Sequence, residues 1–141
     1  MTATSAAQPH SRASVQTDAA RQAFLLLRVG FTIAPIAFGL DKFLGLLADW
    51  PAYLWSRVDS LLPGSAANVM SAVGVVEIAA GVLVALRPRI GAYVVAAWLG
   101  VIIVNLLLVG DYYDIALRDV GLLIGALALG RLAAADTTAA R

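Results

Sequence analysis

Glu77 lies inside the apolar run 73–82, where no water is expected to solvate its charge. Four other stretches do the same with other groups. Arg28 follows the apolar residues 24–27, Lys42 closes the run that Arg28 interrupts, Asn105 sits within 101–109, and Arg118-Asp119 lies within 115–124. An ionisable group held in lipid costs several kcal/mol (roughly 2.5–3.5 on insertion scales), so it needs a partner, water or a task. Three kinds of chemistry suit such residues. A buried carboxyl can take up and release a proton. Arginine, lysine and asparagine can hold a hydrogen-bond acceptor such as a quinone headgroup. A carboxylate and a cation can also pair and fix the register of two helices, with little net stabilisation.

The spacing says which residues share a face. Arg28, Thr32, Pro35, Gly39 and Lys42 recur at steps of three and four, so they form one helical stripe. Gly74, Glu77 and Gly81 form a second, and small residues mark the side on which membrane helices pack. Trp98, Asn105 and Tyr112 form a third, and Asp114, Arg118, Gly121 and Gly125 a fourth that contains a GxxxG pattern. Four such faces turned inward predict a bundle with a polar seam. From a rise of about 1.5 Å per residue, Glu77 falls near the midplane and Arg28 about 9 Å inside one edge. Lys42, Asn105, Arg118 and Asp119 fall towards the other edge. Arg28 is the expected partner of Glu77, and the outer cluster is the alternative if the helices tilt. Arg118, Asp119 and the Asp41-Lys42 pair also have a plainer reading as interfacial anchors, with Arg118 snorkelling.

These stripes need helices long enough to carry them. The sequence predicts spans at about 22–47, 67–86, 90–109 and 112–132, each near the ~20 residues that cross a hydrocarbon core. Pro35 is expected to bend the first. Arg87-Pro88-Arg89 and Gly110-Asp111 punctuate the others. Between the first two spans, Trp50, Leu54, Val58, Leu61 and Leu62 fall on one face, which predicts a short interfacial helix over 49–62 capped by Asp49. An irregular surface loop is the alternative. Residues 1–21 read as a disordered tail and 133–141 as a second tail. The first apolar run ends in Gly-Leu-Asp-Lys-Phe rather than a small-residue cleavage site, so it is expected to be retained.

Composition agrees. The chain is 61% hydrophobic and 13% charged, about half the charged share of a soluble domain. Its net charge of +1 offers no basic field for nucleic acid. There are no cysteines, which excludes disulfides, thiolate metal sites and iron–sulfur ligation. His10 is the single histidine and lies outside the spans, so an intramembrane haem with two side-chain ligands is not expected. No metal site is expected either. Seven arginines (12, 21, 28, 87, 89, 131 and 141) lie on the side of the termini, against Lys42, Arg57 and Arg118 on the other. That asymmetry predicts a protein of the cell (inner) membrane with both termini cytoplasmic.

The motifs also carry a resemblance. Leu27-Arg28-Val29-Gly30, then Phe38-Gly39-Leu40-Asp41-Lys42-Phe43, then Val76-Glu77-Ile78-Ala79-Ala80-Gly81 resemble the DoxX-like family of small four-helix membrane proteins. The segment Tyr112-Tyr113-Asp114-Ile115-Ala116-Leu117-Arg118-Asp119 resembles a subgroup of them. The resemblance covers about 22–132 and implies a membrane-embedded, all-α four-helix bundle. It places Arg28, Lys42 and Glu77 at the family's recurrent charged positions. Family members are associated with quinone-linked oxidoreductase complexes and with antioxidant proteins. Three functions follow as expectations. The first is a non-catalytic membrane subunit or scaffold of a redox or stress-response assembly, with a redox protein partner or a second copy beside it and no catalytic activity or cofactor of its own. The second is a quinone-interacting oxidoreductase component, with Arg28, Lys42, Glu77, Asn105, Arg118 and Asp119 lining the pocket. The third is a small proton-coupled transporter built on Glu77.

Overall fold

The computed structural model describes residues 9–57 and 65–139, with side chains over 16–57 and 65–135. Its described residues form four helices and one 3-10 turn: α1 (Pro9–Leu44), the turn Trp50–Tyr53, α2 (Ala66–Leu86), α3 (Pro88–Val109) and α4 (Tyr113–Ala139). The expected all-α bundle is what the chain forms.

Each helix ends where local chemistry stops it. Gly45 takes φ +63°, a left-handed conformation open to glycine, and ends α1. Ser65 caps α2 by accepting from the Asn68 N–H. Pro88 opens α3 in its first turn, where its missing N–H costs nothing. Gly110, at φ +89°, ends α3.

Short connections make successive helices antiparallel, and their contacts give the register. The Arg28 guanidinium reaches Ala85. Gly39 abuts Gly74, and Gly81 lies against Thr32 and Ile36. Position numbers therefore fall along α2 as they rise along α1. The α1–α2 contact is backbone to backbone: a Cβ added to Gly39 would sit 2.6 Å from the Gly74 carbonyl oxygen, and one on Gly74 2.7 Å from that of Gly39. On the other side α3 packs along α4, with Tyr93 against Gly130 and Leu123 beneath Gly100. Phe31 of α1 covers Gly125 and closes the bundle.

The apolar core occupies the half nearer the α2–α3 turn. Ala80, Val84, Ala92, Val95, Ala96, Ala126 and Leu129 are buried there, flanked by Phe24, Leu27 and Phe31. Outside, the bundle is clad in apolar side chains; Leu26, Leu86 and Leu117 are each about three-quarters exposed. A surface so apolar suits lipid rather than water. Three helical stretches, Gln16–Leu44, Ala66–Leu86 and Pro88–Val109, are long and apolar enough to cross a membrane. Among the described residues α4 does not meet that measure, since Asp114, Arg118, Asp119 and Arg131 lie along it.

Three expectations are corrected. Helix α1 starts at Pro9, so much of the expected disordered tail is helical. Its residues 16–23 are rich in alanine, glutamine and arginine, good helix formers that extend the span outward. Next, the expected interfacial helix is a single 3-10 turn at Trp50–Tyr53; Asp49 makes no side-chain cap there and Leu54 is extended. Positions 58–62 of that expected helix lie outside the described residues. Finally, of the stripe Asp114, Arg118, Gly121 and Gly125, only Gly125 faces inward, against Phe31, and the other three do not. All three are exposed, and a Cβ on Gly121 would meet nothing within 4 Å. The buried face of α4 is Ala116, Asp119, Ala126, Leu129, Gly130 and Ala133.

Candidate functional site

The polar centre of the bundle is an ion pair between helices α1 and α2. Lys42 Nζ lies 2.6 Å from Glu77 Oε2, and their side chains are only 4% and 10% exposed. This corrects the expected pairing of Glu77 with Arg28. The reason is the direction in which helical side chains lean. Every Cα–Cβ bond tilts towards its own helix N-terminus. In antiparallel helices, Lys42 therefore leans down into the bundle while Glu77 leans up to meet it. Arg28, near the other end of the described span, leans away.

Arg28 has a different task. Its Nη2 donates to the Ala85 carbonyl at 2.6 Å. Ala85 belongs to the last turn of α2, whose carbonyls have no intrahelical partner. A guanidinium there also meets the negative end of the helix dipole.

Around Lys42 the chain folds back on itself. Its ammonium lies 3.8 Å from the centre of the Trp50 ring, a cation–π contact. The Trp50 indole N–H donates to Asp41 Oδ2 at 2.7 Å. Asp41 also accepts the backbone N–H groups of Leu46 and Leu47. One buried carboxylate thus ends α1, turns the chain and seats the tryptophan over its neighbour lysine. Asn105 of α3 holds the next stretch: its Nδ2 donates to the Tyr53 carbonyl at 2.6 Å, and its Oδ1 accepts the Trp55 N–H at 3.1 Å. These two bonds keep the backbone extended beyond Tyr53, which is why the expected longer helix does not continue. Tyr53 stacks against Tyr112 with ring centres 4.6 Å apart.

Glu77 has two further neighbours. Trp98 and Asp119 both lie close enough to act on its charge. The Trp98 indole nitrogen is buried and makes no hydrogen bond within normal geometry. Asp119 is 7% exposed. Arg118, its sequence neighbour, points outward from the bundle. Of the six expected pocket residues, the fold therefore gathers Lys42, Glu77 and Asp119. Asn105 is tied to them through the 50–55 stretch. Arg28 stands apart at the other end, and Arg118 faces out. Asp41 and Trp50 join the site unexpectedly, and Trp98 joins it from the predicted third stripe. A buried carboxylate beside a lysine and nine residues before a tryptophan was a readable signal for the first two. An open cleft of about 650 Å³ beside Lys42, between the end of α1 and the first turns of α2, is lined by Phe43, Leu47, Trp50, Met70 and Ser71 among others. Among the described residues no group of three or more histidine, cysteine or acidic side chains is arranged to hold a metal ion.

Comparison with known proteins gave no match: no family model fits the chain, and no curated protein or solved structure is similar to it. The DoxX-like resemblance is carried by the quoted motifs alone.

Proposed function

We propose that the protein is a DoxX-like membrane scaffold: a non-catalytic subunit, in the cell membrane, of a redox or stress-response assembly. One observation carries this reading. Five polar groups of the bundle, Lys42, Glu77, Arg28, Asp41 and Asn105, are committed to its own architecture. Lys42 neutralises Glu77, Arg28 caps α2, Asp41 ends α1, and Asn105 holds the following loop. In this reading α4 is the fourth span, because it packs along α3 and shares the bundle's core. Both termini lie in the cytoplasm, with the arginines of the α2–α3 turn on the same side. The protein purified in mild detergent from its native membrane should carry a stable, different protein with it. Recovery of this chain by itself, whether as one copy or several, would sink the scaffold reading.

A second reading rests on Asp119 and the Trp98 indole, the buried polar groups near Glu77 that hold no part of the backbone. They suit a quinone-interacting component whose pocket is Glu77, Trp98 and Asp119. Quinone should then co-purify, and Trp98→Phe with Asp119→Leu should remove it. Unchanged quinone content in that double variant refutes the site.

A further inference from the structure

The outward faces of the four helices differ in one respect. On α2 and α3 the exposed side chains are valine, alanine, leucine and isoleucine, with Tyr93, apart from Asn68 and Arg89 in the first turn of each. Those of α1 from Leu25 to Leu44 are likewise apolar. Helix α4 instead presents Asp114 and Arg118 on its exposed face, one turn apart. The spacing of four allows an ion pair within the helix, yet Asp114 and Arg118 do not form one. A guanidinium that faces lipid is costly, and Arg118 acts on the buried Asp119 beside it without forming an ion pair with it.

We infer that the exposed face of α4 is the surface on which a second copy of this chain docks, through reciprocal Asp114–Arg118 pairs. Charge complementarity supports this dimer, given α4 as a span in the proposed reading. Arg118 leans towards the N-terminus of α4, so its guanidinium comes to the depth of Asp114. A two-fold axis along the bundle keeps equal depths in the two copies. Each Arg118 then meets Asp114 of the other copy, and no charge is left over. A surface that is self-complementary in this way fits its own copy. The adjacent Gly121 leaves open space where a side chain would stand, so the two α4 backbones can approach. Leu117 and Ile124, 74% and 61% exposed, flank the contact with apolar surface.

The chain has no cysteine, which makes the test direct. The full chain carrying Leu117→Cys, or Val101→Cys on the exposed face of α3, is oxidised in its own membranes. Leu117→Cys should give a disulfide-linked dimer and Val101→Cys should not. Dimerisation of the cysteine-free chain in liposomes, read by energy transfer between labelled copies at low protein-to-lipid ratio, should weaken about tenfold or more in Asp114→Arg. The exchange Asp114→Arg with Arg118→Asp should restore it. Equal cross-linking at both cysteines, or unchanged association in Asp114→Arg, overturns the proposal. So does cross-linking of Leu117→Cys to a different protein in place of itself. Resistance to carbonate extraction, measured on the same membranes, separates failure of the membrane reading from failure of the interface. Absence of a different partner on purification bears on the scaffold reading alone.

Discussion

Lys42 and Glu77 form a pair whose worth depends on how it is broken. Removing one partner leaves an uncompensated charge in the bundle, at a cost of about 3–5 kcal/mol, whereas replacing both by apolar groups of like size is often neutral. Glu77→Leu and Lys42→Met should therefore each destabilise the protein strongly, while the double variant recovers most of the loss. Reversible unfolding in mixed micelles measures this cycle; additive losses would show that the two side chains act independently. The residue types of this pair were plain in the sequence, and so were their stripes. Its pairing was misread because depth alone was used. Arg28 and Glu77 share a plausible depth, but side-chain lean sends them apart and brings Lys42 in from above. Asp41 was legible only as a neighbour of Lys42. Its three kinds of donor come from a loop whose path no periodicity describes.

Helix positions and punctuation were the most legible level. The ends of α2 and α3 follow Ser65, Pro88 and Gly110 closely. What failed was the choice of face on α4. Two of its stripes carry small residues, Gly121 and Gly125 on one, Ala116, Ala126, Gly130 and Ala133 on the other. A rule that small residues mark packing cannot choose between them; the apolar Leu123 and Leu129 beside the second stripe decide it. The distinction has a measurable form. Gly74→Leu drives a side chain into the α1 backbone, so it should cost at least the ~1–3 kcal/mol of an overpacked core. Gly121→Ala meets no atom within the same chain. It should leave monomer stability unchanged or raise it slightly, since alanine is the better helix former by about 1 kcal/mol. Thermal unfolding of the two variants at protein concentrations that keep the chain monomeric checks both; a loss in Gly121→Ala equal to that in Gly74→Leu would contradict the assignment of faces.

Across the whole molecule, the two ends of the bundle are chemically unlike. One half is a dry core of alanine, valine and leucine. The other holds the carboxylates, the lysine and the aromatic rings that cover them. The arginines at 87 and 89 flank the α2–α3 turn beneath the apolar half. That distribution favours the cytoplasm on the arginine side. A protease added outside sealed spheroplasts should accordingly spare tags on both termini and cut a site inserted in the 58–64 stretch. Cleavage of the terminal tags instead would reverse the orientation. The membrane class was legible from composition, because apolar surface in such excess has no other solvent. The exposed charges of α4 were not, since a sequence lists polar residues in a span without saying which way they turn.

The contact between Lys42 and Glu77 joins residues 35 apart in the chain. Synthesis runs in one direction, so Lys42 reaches the membrane before its counter-charge arrives there. Until then the end of α1 carries a bare ammonium next to lipid, and the insertion machinery must shelter it or hold the segment at the interface. Helices α1 and α2 are therefore expected to enter the bilayer together, as a hairpin. A nascent chain stopped just before Glu77 should be extracted from the membrane more readily than one stopped after α2, and the Lys42→Met change should abolish that difference.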